Sequence, residues 1–382
     1  MRKLFYEDSR QTEFTATVVS CEPSNGSYQV VLDATAFFPE EGGQTADIGT
    51  LNGLPVLDVQ IQDDIICHYT KEPFEIGSLV TGHVDWERRF DFMQQHTGEH
   101  IISGLVHERF GYNNVGFHLS INEVTMDFDG TLTSEELKEI EALANEVVYR
   151  NLPVEISYPS KDELPAFTYR SKMEIEGQVR LVTIPGVDVC ACCAPHVSYT
   201  GAIGIIKIIN CQSHRGGVRL NILCGKRALQ DYNQKQDSVA AVSVELSAKQ
   251  DSIADAVRKL KDDILQLKER NNTLQAQYLA LGMSTLPSPK ESKHALLFVD
   301  PMDTIAIRNT VNELIERYEG YCGVFSGSER EGYQFIIGSK HLDCRPLAQA
   351  LRETLLAKGG GSAPMIQGSV IATQEQILSC IH

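Results

Sequence analysis

Seven apolar residues, Val239, Leu246, Ile253, Leu260, Leu267, Leu274 and Leu281, recur at strict seven-residue intervals. Val257, Ile264 and Tyr278 form a companion seam, interrupted once by Asn271. A heptad of this kind marks a long helix that buries one narrow stripe. It predicts a helix of about 40 residues or more, on the order of 60 Å at 1.5 Å per residue. So long a stripe must be covered, either by its own protein or by a second helix in a coiled coil or hairpin. A single seam Asn fixes register at a cost in stability, which favours a specified partner. Gly282 and the Pro287-Ser288-Pro289 segment end the helix and read as a linker.

On the N-terminal side, residues 14–84 alternate apolar and polar residues in short runs broken by Gly, Pro, Asn and Asp, as in Tyr28-Gln29-Val30-Val31-Leu32. That pattern predicts a small β-rich unit, a barrel. Helical spacing takes over at Arg88 to Phe110, with Phe92, His96, Ile101, Leu105 and Phe110 near one side and Gly111 as the stop. Ser134, followed by Glu135 and Glu136, is the expected N-cap of a second helix reaching Arg150. Strands are expected near 154–158 and 179–184, and a β-branched run follows at 203–209. Beyond the linker, alternating strand and helix patterns from Ala295 to Leu356 predict an α/β domain, and Gly359-Gly360-Gly361 reads as a flexible turn or a close backbone approach to phosphate. The expected architecture is α+β: a barrel over 1–87, an α+β domain over 88–225, the long helix and linker over 226–290, and an α/β domain over 291–382.

With 382 residues, 42% of them hydrophobic, the chain can build two or three cores, and no apolar run reaches the roughly 20 residues of a membrane span. The charged segment Met1 to Arg10 has no apolar core with a cleavage site, which predicts a cytoplasmic protein. Of ten cysteines, three crowd at Cys190, Cys192 and Cys193 and the rest are scattered, a usage that suits a reducing compartment and a metal rather than disulfides. A net charge of −17 repels polyanions at long range, so contact with nucleic acid must rest on a local basic patch.

Two short motifs carry chemistry. His96-Thr97-Gly98-Glu99-His100 puts two imidazoles on one helical face. Cys190-Ala191-Cys192-Cys193-Ala194-Pro195-His196 adds thiolates and a third imidazole within one loop. A nitrogen and sulfur set fits tetrahedral Zn²⁺ better than Mg²⁺ or Ca²⁺, and each of the three cysteines is a possible ligand. A zinc protease is excluded, because Glu99 precedes the second histidine instead of following the first, which turns its carboxylate away from a metal-bound water.

Together with these motifs, Phe37-Phe38-Pro39-Glu40-Glu41-Gly42-Gly43-Gln44, Asp47-Ile48-Gly49, Gln94-Gln95, Gly177-Gln178-Val179-Arg180 and Gly216-Gly217-Val218-Arg219 occur in the order found in alanyl-tRNA synthetase editing domains. The chain resembles their freestanding relatives, the AlaX alanyl-tRNA editing proteins, over about residues 1–230. The tail, with Gly359-Gly360-Gly361 and Met365-Ile366-Gln367-Gly368, resembles the DHH-associated domain of the long AlaX form. The resemblance implies that His96, His100, Cys192 and His196 bind zinc and that Gly42, Gly43 and Gln44 belong to the aminoacyl pocket. Where many members have Cys-Gly-Gly-Thr-His, this chain has Cys192-Cys193-Ala194-Pro195-His196, so Cys193 is an alternative ligand.

The reaction so implied is hydrolysis of the ester between a wrong amino acid, serine or possibly glycine, and alanine tRNA, with zinc either activating water or only orienting substrate. Gln44, Gln95 and Thr97 are candidates for contacting the serine hydroxyl. Contact with tRNA is expected at Lys207, Arg215, Arg219, Lys226 and Arg227, with Lys358 and Gly359, Gly360 and Gly361 assisting. A non-catalytic, zinc-stabilised tRNA-binding module is the alternative. The editing part begins near the N-terminus, which leaves no aminoacylation domain and predicts no ATP chemistry. The heptad seam predicts a homodimer.

Overall fold

The structure is a computed structural model that describes residues 1–171 and 177–381. It contains two compact units, Met1–Val239 and Ala240–His382. After a two-residue strand at Arg2–Lys3, paired in parallel with Ala34–Thr35, and a helical turn at Leu4–Glu7, the first unit builds six antiparallel strands: β1 (Glu13–Ser24), β2 (Ser27–Leu32), β3 (Gly49–Leu51), β4 (Leu54–Gln62), β5 (Ile65–Thr70) and β6 (Leu79–Val84). They close in the order β1-β2-β5-β4-β3-β6. Period-two alternation sends Phe14, Ala16 and Val18 of β1 inward, to meet Val30, Leu32, Leu51, Val59, Ile66 and Val80. Between β2 and β3 the chain leaves the barrel wall over residues 35–47 and carries Gly42, Gly43 and Gln44 with it.

Helix α1 (Trp86–Phe110) starts at Asp85, whose carboxylate accepts from the Arg88 amide, and stops at Gly111 in the left-handed region. The apolar spacing predicts one buried face, yet every residue from Phe92 to Gly104 is buried. Polar groups survive there because they are paired; Gln95, for instance, donates to the Cys224 carbonyl and accepts from the Cys224 amide. Around α1 lie β7 (Asn114–Leu119), β8 (Val124–Phe128), α2 (Ser134–Arg150), β9 (Glu155–Ser157), β10 (Leu181–Ile184), β11 (Asp188–Ala191), β12 (Ile206–His214) and β13 (Gly217–Cys224). They form the sheets β12-β13-β8-β7 and β9-β10-β11. The cap of α2 is Thr133 in a capping box with Glu136, so the expected Ser134 is the first helical residue instead.

The heptad does not run along one helix. Helix α3 (Gly225–Glu245) ends before α4 (Ile253–Ser284) begins, separated by a break and a 3₁₀ turn at Gln250–Ser252. Ser247 adopts φ +48°, its amide bonds to the Val244 carbonyl, and the Ala248 amide reaches back to the Ser243 carbonyl. That is a Schellman stop with serine where glycine is usual. Val239 and Leu246 therefore keep the spacing without sharing the helix of the other five residues.

In the second unit, β14 (Ala295–Val299), α5 (Thr304–Ile315), β15 (Cys322–Ser328), β16 (Gly332–Gly338), α6 (Cys344–Leu355), β17 (Lys358–Ser362), β18 (Met365–Val370) and α7 (Gln374–Ser379) build one five-stranded sheet, β14-β15-β16-β18-β17, with its helices. Gly359, Gly360 and Gly361 are not a turn: they form edge strand β17. A Cβ at Gly361 would sit 2.3 Å from the Met365 carbonyl oxygen, so the strand approaches its neighbour too closely for a side chain. Leu279 of α4 is buried among Leu297, Ile307 and Val311. Leu260, Ile264, Leu267, Leu274, Tyr278 and Leu281 stay exposed. No helix among the described residues is long and apolar enough to cross a membrane.

Candidate metal centre

Helix α1 holds His96 and His100 one turn apart, and the loop after β11 brings Cys192 and His196 onto them. The Cys192 Sγ lies 3.5 Å from His96 Nε2 and 3.4 Å from His196 Nε2. The four potential ligand atoms are all within 4.8 Å of one another. In a tetrahedral site with metal bonds of about 2.0–2.3 Å, sulfur and nitrogen stand roughly 3.6 Å apart, close to what is observed. The arrangement fits one soft divalent ion.

Each histidine is held from behind. His196 Nδ1 donates to Thr97 Oγ1 at 3.1 Å, since that hydroxyl spends its own proton on the Met93 carbonyl at 2.7 Å. His100 Nδ1 meets Asp188 Oδ2 at 3.0 Å, and His96 Nδ1 meets Gln44 Oε1 at 2.9 Å. These bonds leave all three Nε2 atoms for the centre.

Burial alone would push the Cys192 thiol up, but the charges and hydrogen bonds of the surrounding imidazoles hold it well below the usual thiol range. Burial lowers His196 to about 3. Cys193 behaves oppositely: burial, the neighbouring Cys192 and the Glu41 carboxylate push its thiol up. Its Sγ faces Gly42, where an added Cβ would lie 3.1 Å away. Cys190, also raised by burial to about 11, shares a cluster with His100 and Asp188 instead. Of the three cysteines, Cys192 is the one gathered with the three histidines.

The barrel loop reaches the centre through backbone bonds to β7. The Leu119 amide donates to the Gly43 carbonyl at 2.7 Å and the Thr45 amide to the Leu119 carbonyl at 3.0 Å. Gly43, at φ +82°, has no room for a Cβ, which would meet the Phe117 carbonyl oxygen at 2.3 Å. The fully buried pair Asp47 and Arg89 locks the same loop, with Asp47 accepting from the Phe38 amide and Arg89 donating to the Ala36 and Ser9 carbonyls. Arg180 fastens the cysteine loop by donating to the carbonyls of Cys192 at 2.7 Å and Ala194 at 3.1 Å.

Several expectations change at this point. Gln95 spends its side chain on joining α1 to β13 through Cys224, and also donates to Asp91. Glu99 is not simply turned away: Oε1 accepts from Ser103 and Asn114, while Oε2 lies 3.7 Å from His100 Nε2. The basic stretch is not an open patch. Lys207 pairs with Glu141, Arg219 with Asp127, Lys226 with Glu87, and Arg227 with Asp91. Only Arg215, in the turn between β12 and β13, makes no ion pair among the described residues. Asp188, Arg170 and Arg89 had no signal in local spacing, because each meets partners distant in sequence, whereas Arg180 stands in the Gly177-Gln178-Val179-Arg180 motif and reaches carbonyls 12 and 14 residues on.

Residues 5–88 match the family described as tRNA synthetases class II (A), and residues 179–220 match the threonyl and alanyl tRNA synthetase second additional domain. The chain is 31% identical to alanyl-tRNA editing protein Aarsd1 of Rattus norvegicus, over 96% of this chain and 94% of that one. With the Danio rerio protein of the same name it shares 29% identity, over 94% and 92%. An alanine–tRNA ligase of Ignicoccus hospitalis is 32% identical over 73% of this chain and 32% of the ligase. A match of that identity running nearly end to end in both proteins makes the chain a member of the alanyl-tRNA editing proteins of the AlaX type.

Proposed function

We propose that the chain is a zinc-dependent hydrolase that removes serine, and possibly glycine, from mischarged alanine tRNA in the cytoplasm, without ATP. The observation that carries this reading is the convergence of three Nε2 atoms on the Cys192 sulfur in a member of a family of alanyl-tRNA editing proteins. His96, His100, Cys192 and His196 hold the zinc in this account. Bound zinc supplies Lewis-acid polarisation near an ester that is already activated. The protein's own part is orientation: Thr97, Gln44 and Asp188 fix the imidazoles, and the near-complete burial of the three histidines keeps bulk water out. With Gln95 spent on Cys224, the Thr97 hydroxyl on Met93 and His196, and the Gln44 Oε1 on His96, we assign recognition of the serine hydroxyl to the remaining Nε2 amide of Gln44, on the loop that Gly42 and Gly43 shape. Rejection of alanine then rests on a buried polar group that alanine leaves unpaired.

In the same reading, the barrel and α+β parts form the editing body, and the DHH-associated-like tail, with Lys358 and the glycine strand, contacts tRNA. The exposed Leu260 to Leu281 seam of α4 joins two copies. Sedimentation at micromolar concentration tests the last point: we expect a wild-type dimer that Leu260→Lys dissociates, and a wild-type monomer removes it.

Deacylation of seryl- and glycyl-tRNA against alanyl-tRNA, run beside elemental analysis of His96→Ala, Cys192→Ala and Cys193→Ala, tests the reaction. We expect activity on the first two substrates only. His96→Ala and Cys192→Ala should lose both metal and activity, and Cys193→Ala should keep both. Full metal with no deacylation would replace the hydrolase by a zinc-stabilised tRNA-binding module.

A further inference from the structure

The three histidines are supported by different chemistries. Gln44 and Thr97 are neutral, whereas Asp188 carries a charge into a site where it is only 6% exposed. Its Oδ2 accepts from both His100 Nδ1, at 3.0 Å, and Arg170 Nη2, at 2.8 Å. Its Oδ1 accepts from Arg170 Nε at 2.7 Å. Arg170 is itself fixed by its backbone, whose amide donates to the Val189 carbonyl at 2.8 Å and whose carbonyl accepts from the Ala191 amide at 2.9 Å. The guanidinium therefore stands beside β11 at the height of Cys190, gripping the carboxylate in a planar fork.

We propose that Asp188, held by Arg170, is a positioning residue for the metal centre. It fixes the tautomer of His100 that turns Nε2 to the cluster and makes that nitrogen a stronger donor, and so sets how tightly the cluster holds its ion. A carboxylate behind an imidazole polarises the ring, which a neutral amide or hydroxyl does less. Without the Arg170 fork the carboxylate loses the partner that fixes its plane and is free to rotate off His100. Arg170 thus acts at one further remove, through Asp188 and then His100, with no group of its own among the four ligands.

The inference rests on the metal reading above, so its test measures affinity instead of deacylation. The full chain, stripped and titrated with zinc against a chromophoric chelator, is compared with Asp188→Asn, Arg170→Lys and Asp127→Asn. The last removes a comparable bidentate Asp–Arg pair, Asp127–Arg219, that lies on β8 and β13 and contacts His214 but none of the three cluster histidines. Asp188→Asn should weaken zinc binding by roughly 10–100-fold. Arg170→Lys should weaken it by less, since the fork is lost but the His100 bond remains, and Asp127→Asn should leave it unchanged. Substituted Co²⁺ should show altered ligand-field bands in Asp188→Asn, a change that loss of general stability does not produce. Wild-type affinity and an unchanged cobalt spectrum in Asp188→Asn overturn the inference. Should that variant fail to fold, wild-type affinity in folded Arg170→Lys does the same. A wild-type chain that holds no zinc overturns the metal reading itself, and the two failures are distinguished by that control.

Discussion

The histidine–cysteine cluster and the basic stretch from Lys207 to Arg227 look equally suggestive as strings of residues, and they behave differently in the fold. Two cluster ligands lie one turn apart on a helix and two lie four residues apart in a loop, so each pair is local geometry, although the two pairs meet across 96 residues. The basic stretch instead crosses two strands and the start of a helix, which distributes its charges and lets acidic residues from α1, α2 and β8 reach them. Arg227 lies against Asp91, with its Nε 2.9 Å from both carboxylate oxygens, and also donates to the Ser120 carbonyl. Spacing within one element reports a site, but charge density along a sequence does not report a surface until its partners are known.

The widest gap between the two kinds of charge should appear when pairs are broken. Asp47 and Arg89 are both completely buried. Asp47→Ala leaves a guanidinium without its counter-charge, and we expect a loss of about 3–5 kcal/mol. Urea unfolding followed by the single tryptophan, Trp86, reads the first unit directly. The surface pair Asp127–Arg219, cut by Asp127→Ala, should shift the same transition far less. Equal shifts would erase the distinction between the loop lock and the surface pairs.

His68 offers a smaller test of the same barrel loop. Its ring is fully buried, with Nδ1 3.1 Å from the Val30 carbonyl and Nε2 2.8 Å from Thr35 Oγ1, which in turn accepts from the Phe37 amide. Burial lowers its pKa to about 4. Between that value and the ordinary one near 6.5, the unfolded chain binds a proton that the folded chain refuses, so stability rises with pH across this window and falls on acidification. The full span corresponds to roughly 3 kcal/mol. His68→Gln should flatten that part of the pH dependence of Trp86-detected unfolding. An unchanged slope would assign the acid sensitivity elsewhere.

Legibility in the sequence followed the range of the forces involved. The α1 stop at Gly111, the ligand spacing and the β-branched strands are local, and they were readable. The end of α3 was not, because Ser247 occupies the left-handed position that glycine normally advertises. The glycine strand reads as a turn for the converse reason: Gly359 and Gly361 leave no room for a Cβ beside a neighbouring backbone, Met365 to Gly368, that spacing alone does not bring near. Asp188 and Arg170 were invisible for the same cause, since the His100–Asp188 bond spans 88 residues.

The smallest expected effect concerns tRNA. Arg215 sits at φ +47° in the turn between β12 and β13, outside the pairing that neutralises its neighbours, and projects from the first unit at a hairpin tip. Arg219, four residues on, is committed to Asp127, whose carboxylate it holds below the usual range by that hydrogen bond. A phosphate that recruits Arg219 must first displace Asp127, whereas one that recruits Arg215 breaks no ion pair among the described residues. Arg215→Glu should therefore reduce tRNA affinity modestly and flatten its salt dependence by about 0.7–0.9 in the log–log slope, the worth of one phosphate contact. Arg219→Gln should leave both nearly unchanged. If the two variants lose affinity and slope alike, the Asp127 pair opens on binding and the stretch is a latent patch; if neither changes, tRNA approaches by another face.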